Sequence, residues 1–226
     1  MNMLANAKIK LQLLLRPKGK NAFILSLDNE SIILDVGCGN DSPARCKKLR
    51  PDLYYVGLDI ANYNQNHDPN AFANEYLLTS PEAFPNAIAN SPSRYDAVIC
   101  SHNLEHCDDQ EATLLSISKS LKIGGRLYLS FPCEASLKFP RRIGTLNFHD
   151  DDTHREVPNL AKVLNTLVSR GFQIEYLDQR HRPIFLYILG LIREPESVIR
   201  SKVIRGTWEF YGFETIIWAR KQPIAQ

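Results

Sequence analysis

The chain has 226 residues, of which 44% are hydrophobic and 23% charged, and its formal net charge is +2. This length suits one α/β domain with a full core, and so small a net charge does not demand nucleic acid or an anionic membrane as a partner. Five cysteines, an odd number without the spacing of a disulfide framework, favour free thiols in a reducing cytoplasm. We expect no signal peptide, and no apolar run reaches the roughly 18 residues of a membrane-spanning helix.

Residues 1–30 are predicted to form a helical extension ahead of the domain. Leucines at positions 4, 11, 14 and 15 suit one face of a helix, although residues 9–13 also alternate like a strand. The lysines and the arginine of this segment are interpreted as a solvated basic face rather than as a contact with an acidic surface.

The first predicted strand covers residues 32–36 and runs into a glycine turn. Asp35 follows an apolar, β-branched run, and Gly37 and Gly39 come one residue apart just after it. A helix expected over residues 43–49 would point its N-terminal amides into the same crevice. The pattern predicts a nucleotide-type cofactor site at the carboxyl end of this strand, with a plain strand-to-helix turn as the alternative.

The second predicted strand, residues 54–60, also has an acidic residue at its carboxyl end. Asp59 lies 24 residues after the acid of the first strand, which fits strand, helix, strand and puts its carboxylate where it could accept both ribose hydroxyls. The alternative is that Asp59 only caps the next turn. A polar loop over residues 62–74 and a short third strand over 75–78 follow, so residues 79–85 would lie where an adenine ring could bind.

The remaining predicted elements alternate between strand and helix. Residues 101–107 follow a fourth strand and carry polar and ionisable side chains, ahead of a helix capped by the aspartates at 108 and 109. In chain order the elements are strand four over 94–100, a helix to Leu121, a turn over 122–125, strand five over 126–131, an irregular stretch over 133–157, a helix over 160–168, strand six over 172–177, an insertion with one or two helices over 178–213 and strand seven over 214–220. An irregular stretch as long as 133–157 is usually functional or disordered.

In combination and in this order, these residues resemble the class I S-adenosylmethionine-dependent methyltransferases, in their small-molecule branch. The resemblance is carried by the turn Asp35 to Gly39, the acid Asp59, the strand-four sequence Tyr95-Asp96-Ala97-Val98, the tripeptide Leu104-Glu105-His106 and the turn Leu121 to Leu127. It implies an α/β fold with a Rossmann-like, doubly wound, seven-stranded sheet in a single domain over residues 31–226. In that fold strand seven runs antiparallel between strands five and six. A small molecule, rather than nucleic acid, is the implied substrate.

The resemblance implies S-adenosylmethionine as the cofactor, and the glycine turn agrees with it. A dinucleotide fingerprint needs a third glycine, where this chain has Ser42, so that the helix can pack close to a pyrophosphate. S-adenosylmethionine carries no phosphate and does not need that glycine. By the family pattern, Asp35 and the glycine backbone hold the methionine end, and Asp59 holds the ribose. The full set of implied cofactor contacts is Asp35, Gly37, Cys38, Gly39, Asp59, Ile60, Ala83 and Ser101.

Two histidines are the candidate catalytic residues. Methyl transfer from a sulfonium chiefly needs an acceptor held in line, but a hydroxyl is a poor nucleophile and also wants a base or a metal. His106 follows strand four, and His154 closes the sequence Asp151-Asp152-Thr153-His154, which resembles an Asp-x-Thr-His element of sugar and surface-polysaccharide methyltransferases. We predict a sugar or polysaccharide-precursor hydroxyl as the acceptor, with His106 or His154 as its base or orienting group. A purely structural role for His106 is the alternative.

Three further functions stay open at this point. His102-x-x-Glu105-His106 spells an inverted zinc-peptidase motif and resembles, with His102 in place of a glutamate, the metal motif of RNA-terminal methyltransferases. These residues follow a strand instead of lying on a helix, so no metal ligand is assigned. The chain could also be a methyltransferase-like scaffold or an NAD-dependent oxidoreductase. The apolar insertion over 178–213 is interpreted as a lid, a core helix or a homodimer contact rather than a membrane anchor.

Overall fold

A computed structural model describes Leu11 and residues 13–223 of the chain, which form an α/β fold on a seven-stranded sheet. The strands are β1 (Ile32–Val36), β2 (Tyr54–Asp59), β3 (Glu75–Leu78), β4 (Tyr95–Ser101), β5 (Leu121–Pro132), β6 (Phe172–Asp178) and β7 (Glu214–Lys221). They are ordered β3-β2-β1-β4-β5-β7-β6; β7 runs antiparallel to both of its neighbours, and the other pairs are parallel. The predicted Rossmann-like sheet with an antiparallel seventh strand is confirmed.

The order of the strands determines where a ligand can bind. Strand β1 pairs with β2 on one side and with β4 on the other, so that Val36 lies between Leu58 and Cys100. The direction of the chain across the sheet reverses here, and a crevice therefore opens beyond the carboxyl ends of β1 and β4. The loops that follow these strands meet at this edge.

Helices cover both faces of the sheet. Within the described residues they include α1 (Lys20–Leu25), α2 (Ser42–Leu49), α3 (Phe84–Ala89), α4 (Gln110–Ser120), α5 (Leu160–Ser169), α6 (Ile184–Ile199) and α7 (Thr207–Tyr211). One apolar cluster packs α3, α4 and α5 on the sheet through side chains such as Ile88, Ile117 and Leu167. A second cluster contains Phe23 of α1 and Cys46 of α2. Helices α1 to α5 thus bury apolar side chains against the strands.

Strand β5 begins earlier than the sequence predicts. Its register with β4 shifts between Tyr95 and Ala97, and Ala97 pairs with Arg126, so residues 122–125 bulge out of the ladder. Gly124 has a φ of +83° there, a conformation that glycine adopts without steric cost. The predicted turn is therefore a bulge inside a strand of 12 residues.

The insertion between β6 and β7 contains α6 and α7, which cross at two glycines. A Cβ built on Gly190 would lie 2.1 Å from the carbonyl oxygen of Gly206. Only glycine allows two backbones to approach so closely. Gly206 also has a φ of +96° at the start of α7, so the two helices are held together as one unit.

Residues 133–157, called the acceptor-side loop below, have an ordered internal structure. One carboxylate oxygen of Asp150 accepts hydrogen bonds from three backbone N–H groups, including those of Arg142 and Asn147, at 2.8–3.0 Å. The buried guanidinium of Arg142 forms an ion pair with Glu194 of α6 at 2.5 Å. The loop is therefore attached to the insertion.

The described part of the N-terminal segment packs on the sheet. Phe23 is fully buried and contacts Trp218 of β7, whose indole N–H donates to the carbonyl oxygen of Lys18 at 3.0 Å. The helix predicted over residues 4–15 lies largely outside the described residues; those of its residues that are described are helical. In the described part of the chain, we find no helix whose length and apolar content would let it cross a membrane.

Candidate active site

The glycine turn after β1 leaves no room for a side chain. Gly37 has a φ of +73°, and a Cβ on it would lie 2.4 Å from the side-chain amide nitrogen of Asn103. A Cβ on Gly39 would lie 3.0 Å from the carbonyl oxygen of Tyr63. The main chain of the turn is held against the loops that follow β2 and β4, at distances that only glycine permits.

Asp35 is buried beneath this turn and holds three donors from the protein itself. Its carboxylate accepts from Lys20 Nζ at 2.9 Å, from Ser42 Oγ at 2.5 Å and from the Tyr55 hydroxyl at 2.6 Å. Ser42, which stands where a dinucleotide site needs glycine, thus anchors the start of α2 to β1. A direct contact between Asp35 and the cofactor stays a prediction.

A polar loop after β2 folds back over the glycine turn. Asp41 accepts from the backbone and the side chain of Asn66 at 2.6 and 2.7 Å. The hydrogen bond from the Asn66 side chain is the main cause that lowers the pKa of Asp41 to about 2, although burial opposes it. Gln65 donates to the carbonyl oxygen of Cys38 at 3.1 Å. The loop predicted over residues 62–74 therefore forms one wall of the crevice.

The predicted ribose acid lies at the expected edge of the sheet. Asp59 ends β2 and is buried, and burial raises the pKa of its carboxyl. Hydrogen bonds from the backbone of Ile60, Ala61 and Gly39 oppose that rise. Asp59 is thus in contact with the glycine turn, while the Ile60 side chain is exposed beside it.

The remaining predicted cofactor residues, Ser101, Ala83 and Cys38, differ in the groups that they can present to a ligand. Ser101, half-buried at the end of β4, shares a hydrogen bond with Ser130 at 3.0 Å. Ala83 is half-buried at the start of α3, beyond the end of β3. Cys38 is fully buried, and burial raises the pKa of its thiol, so its main chain rather than a thiolate is available to a ligand.

His102 forms a charged bridge between the ends of β4 and β7. Its Nδ1 lies 3.2 Å from Glu105 Oε1 and its Nε2 lies 3.1 Å from Glu214 Oε1. Burial lowers the pKa of His102, but the hydrogen bonds to the two carboxylates outweigh it and raise the pKa to about 10. Arg16 Nη2 donates to the second oxygen of Glu214 at 2.5 Å. His102 is therefore a structural cation rather than a free base.

The two candidate catalytic histidines are neighbours, with ring centroids 4.8 Å apart. Nδ1 of His106 lies 3.0 Å from Thr153 Oγ1 and 3.2 Å from the Thr153 carbonyl oxygen, and the Thr153 hydroxyl donates to Asp151. Nδ1 of His154 lies 2.6 Å from the carbonyl oxygen of Phe148. Because a carbonyl oxygen only accepts, both Nδ1 atoms carry a proton, and each Nε2 is left as an acceptor.

Glu105 adds a carboxylate to this pair of histidines. It is fully buried, and its Oε2 has no hydrogen-bond partner within the described residues. One ligand atom from each of Glu105, His106 and His154 lies within 4.8 Å of the other two. Two imidazoles and a carboxylate are a donor set that zinc-type ions accept. These three residues, none of which was predicted from the sequence to be a metal ligand, could therefore hold a divalent ion.

Comparison with known proteins identifies the family to which this site belongs. A family model described as "Methyltransferase domain" matches residues 8–177. A ubiquinone biosynthesis O-methyltransferase of Proteus mirabilis is 29% identical over 105 residues, which are 43% of this chain and 40% of that protein. An S-adenosylmethionine-dependent methyltransferase structure from Mesorhizobium loti matches with a TM-score of 0.62, over 88% of this chain and 96% of that one, at 16% identity. A methyltransferase structure from Archaeoglobus fulgidus matches with a TM-score of 0.56, over 95% of this chain and 94% of that one, at 18% identity.

A family match over most of the chain, on a sheet of this order, defines a class I methyltransferase. The chain belongs to the S-adenosylmethionine-dependent methyltransferases, and S-adenosylmethionine is its cofactor. The oxidoreductase and scaffold hypotheses are set aside. The chain spans about 40% of the length of the curated relative from Proteus mirabilis, and a shared fold does not fix the acceptor.

Residues outside the sequence motifs also support the site, and no sequence pattern predicted them. Lys20 and Tyr55 reach Asp35 from α1 and β2, and Arg16 reaches the first residue of β7 across the sheet. Long-range pairs of this kind leave no local pattern. Asn103 could have been found, because polar residues just beyond the strand beside β1 face the crevice.

Proposed function

We propose that this enzyme transfers the methyl group of S-adenosylmethionine to a hydroxyl of a small molecule, a sugar or a cell-surface polysaccharide precursor. The observation that carries the proposal is the pair of Nε2 atoms on His106 and His154, for which the described residues supply no hydrogen-bond partner while each Nδ1 is bonded. They belong to the loops beside Asn103, which packs on the glycine turn. The relative from Proteus mirabilis is named an O-methyltransferase, which supports a hydroxyl acceptor. A reducing, cytoplasmic setting is part of the proposal and is supported by the free cysteines.

The arrangement of the histidines suits the chemistry of a hydroxyl acceptor. S-adenosylmethionine supplies a methyl group on a positively charged sulfur. On transfer, a new bond between the acceptor oxygen and this carbon would replace the carbon–sulfur bond, whose electron pair would stay on sulfur. The hydroxyl proton goes to Nε2 of His106 or His154, which can accept it because Nδ1 carries the other proton. Asp151 and Thr153 act through His106 and are positioning residues.

A phenolic hydroxyl is the second candidate acceptor. The name of the Proteus relative, which refers to ubiquinone biosynthesis, favours it, although the match covers 40% of that protein. A phenol ionises with a pKa of about 10, far more readily than a sugar hydroxyl, so its methylation depends less on a base. The two acceptors therefore differ in how strongly loss of a histidine should slow the reaction.

We expect His106→Ala and His154→Ala each to lower kcat by about 10²–10⁴-fold on a sugar acceptor and by less on a phenol. Each variant removes a proton acceptor without removing a predicted cofactor contact, so affinity for S-adenosylhomocysteine should stay unchanged. Release of S-adenosylhomocysteine across a panel of nucleotide sugars and phenols measures turnover, and mass spectrometry identifies the methylated product. His149→Ala, which removes an exposed histidine of the same loop, is the matched control and should keep full activity.

Unchanged turnover in both variants, with cofactor binding intact, would remove the histidines from the mechanism. Chelation separates a base from a metal at the same place. If Glu105, His106 and His154 hold an ion, treatment with EDTA lowers the turnover of the wild-type enzyme and added Zn²⁺ restores it. If the histidines act as bases, EDTA leaves turnover unchanged.

A further inference from the structure

Helix α6 carries apolar side chains along its outer face that nothing in the described structure covers. They form the α6 stripe: Ile184, Phe185, Ile188, Leu191, Ile192, Val198 and Ile199. Their exposed fractions run from 45% at Ile188 to 84% at Ile199. Spacings of three, four and seven residues place them on one side of the helix. A contiguous apolar patch of this kind usually marks an interaction surface.

The other side of α6 is already packed on the protein. Leu186, Gly190 and Ser197 are buried there, and Gly190 lies against the backbone of Gly206. The first half of the helix is therefore apolar on both sides, as is normal for a helix buried all round. Here the outer side is left for a partner.

Cations stand at both ends of the stripe. Arg182 precedes its first residue and Lys202 follows its last; both are exposed, and neither has an ion-pair partner within the described residues. The two acids of the helix, Glu194 and Glu196, are each paired with an arginine. The surface around the stripe is thus positive, although the net charge of the whole chain is only +2.

Ile143 of the acceptor-side loop extends this surface. Its side chain is 71% exposed, its N–H donates to the carbonyl oxygen of Ser201 at 2.9 Å, and its own carbonyl accepts from Val203 at 2.8 Å. It therefore lies beside the C-terminal end of α6, and the exposed Arg141 adds a further cation nearby. The apolar surface runs from the insertion to the loop that carries His154.

The distribution of charge decides what can cover the stripe. Two copies of this chain packed along it, in either direction, would bring Arg182 or Lys202 of one copy towards a cation of the other, which is unfavourable. An anionic bilayer suits both features, because the apolar side chains can enter the boundary of the headgroups while the flanking cations meet the lipid phosphates.

In place of the interpretation of this insertion from the sequence, we propose that the exposed α6 stripe docks this methyltransferase on the surface of an anionic lipid bilayer, in the interface and without spanning it. The docking does not depend on which acceptor is methylated. Its consequence for the substrate rests on the proposed function: the acceptor-side loop would lie close to the bilayer and receive an amphiphilic acceptor from it.

Sedimentation of the full chain with lipid vesicles tests the docking. We expect it to bind vesicles of phosphatidylcholine and phosphatidylglycerol at least about tenfold more tightly than phosphatidylcholine alone, and less tightly at high salt. Ile188→Glu/Ile192→Glu should weaken binding by about 100-fold or more, because it places two charges in the apolar contact. The matched control is Ile123→Glu, which adds a charge at a 56% exposed isoleucine on the β5 bulge and should bind like the wild type.

Cofactor binding and thermal unfolding show whether each variant is folded. Arg182→Ala/Lys202→Ala provides a second test that leaves the apolar stripe intact, and it should lower binding to anionic vesicles by about tenfold or more. Failure of the wild type to bind anionic vesicles, or equal binding by the Ile188→Glu/Ile192→Glu variant, would overturn the docking. So would a dimer in light scattering that this variant dissociates while no vesicles bind. None of these readouts uses turnover, so loss of docking and failure of the proposed methyl transfer are distinguishable.

Discussion

Gly37→Ala is expected to lower affinity for S-adenosylhomocysteine by about 100-fold or more. The new Cβ would meet the Asn103 side chain at 2.4 Å on a residue whose φ is +73°. The left-handed backbone costs about 1–2 kcal/mol for a non-glycine residue, and relief of the clash moves the loop that follows β4. Isothermal titration calorimetry measures the affinity, and thermal unfolding measures the accompanying loss of stability.

Gly124→Ala separates backbone strain from loss of the cofactor site. Gly124 has a φ of +83°, close to that of Gly37, but a Cβ on it would meet nothing within 4 Å. It lies in the β5 bulge, at the end of β5 away from the crevice. This variant should lose about 1–2 kcal/mol of stability, the left-handed penalty for a residue other than glycine, and bind S-adenosylhomocysteine normally. Equal loss of affinity in both variants would mean that the glycine turn is not the cofactor site.

The second large effect concerns stability. His102→Ala is expected to lower the free energy of unfolding by about 3–5 kcal/mol, because it leaves the buried carboxylates of Glu105 and Glu214 without the cation between them. Urea unfolding followed by circular dichroism measures the change. His149→Ala, at an exposed position without an ion pair among the described residues, should stay within about 0.5 kcal/mol of the wild type.

The same bridge predicts a dependence on pH. The pKa of His102 is about 10 in the folded protein, against about 6.5 in an unfolded chain. A histidine whose pKa is raised on folding contributes its full stabilisation below about pH 6.5. This stabilisation is lost as the pH rises through about 10. The difference in unfolding free energy between the wild type and His102→Gln should therefore shrink from pH 7 to pH 10. A constant difference would show that His102 is neutral in the fold.

The sheet was predictable because its signals are local. Several strands are short apolar runs, and the run before Gly37 ends in an acidic residue and a turn that only glycine can form. Helix α3 was missed because six residues are too few to show a helical period. The crossing of Gly190 and Gly206 could not be foreseen, because it depends on two segments that meet only in the folded chain.

The sequence names candidate residues for the site but not the contacts between them. His106 and His154 were both named from the sequence, yet nothing local says that their rings lie 4.8 Å apart. The structure also gives the Asp-x-Thr-His sequence a physical explanation: Asp151 holds the Thr153 hydroxyl, and Thr153 in turn fixes Nδ1 of His106. His102 was considered as a metal ligand, but its second carboxylate partner, Glu214, could not be foreseen without the position of β7.

The ion pair between Arg16 and Glu214 joins residues 198 positions apart. Loop closure over such a separation is entropically costly and comes late in folding. Because Glu214 opens β7, the last strand of the sheet in chain order, the bridge at the end of β4 cannot form until that strand has paired. A chain truncated before β7 would keep every residue of the glycine turn and still lack Glu214, which contacts both His102 and Arg16. The set of contacts around His102 is therefore complete only when the last strand has joined the sheet.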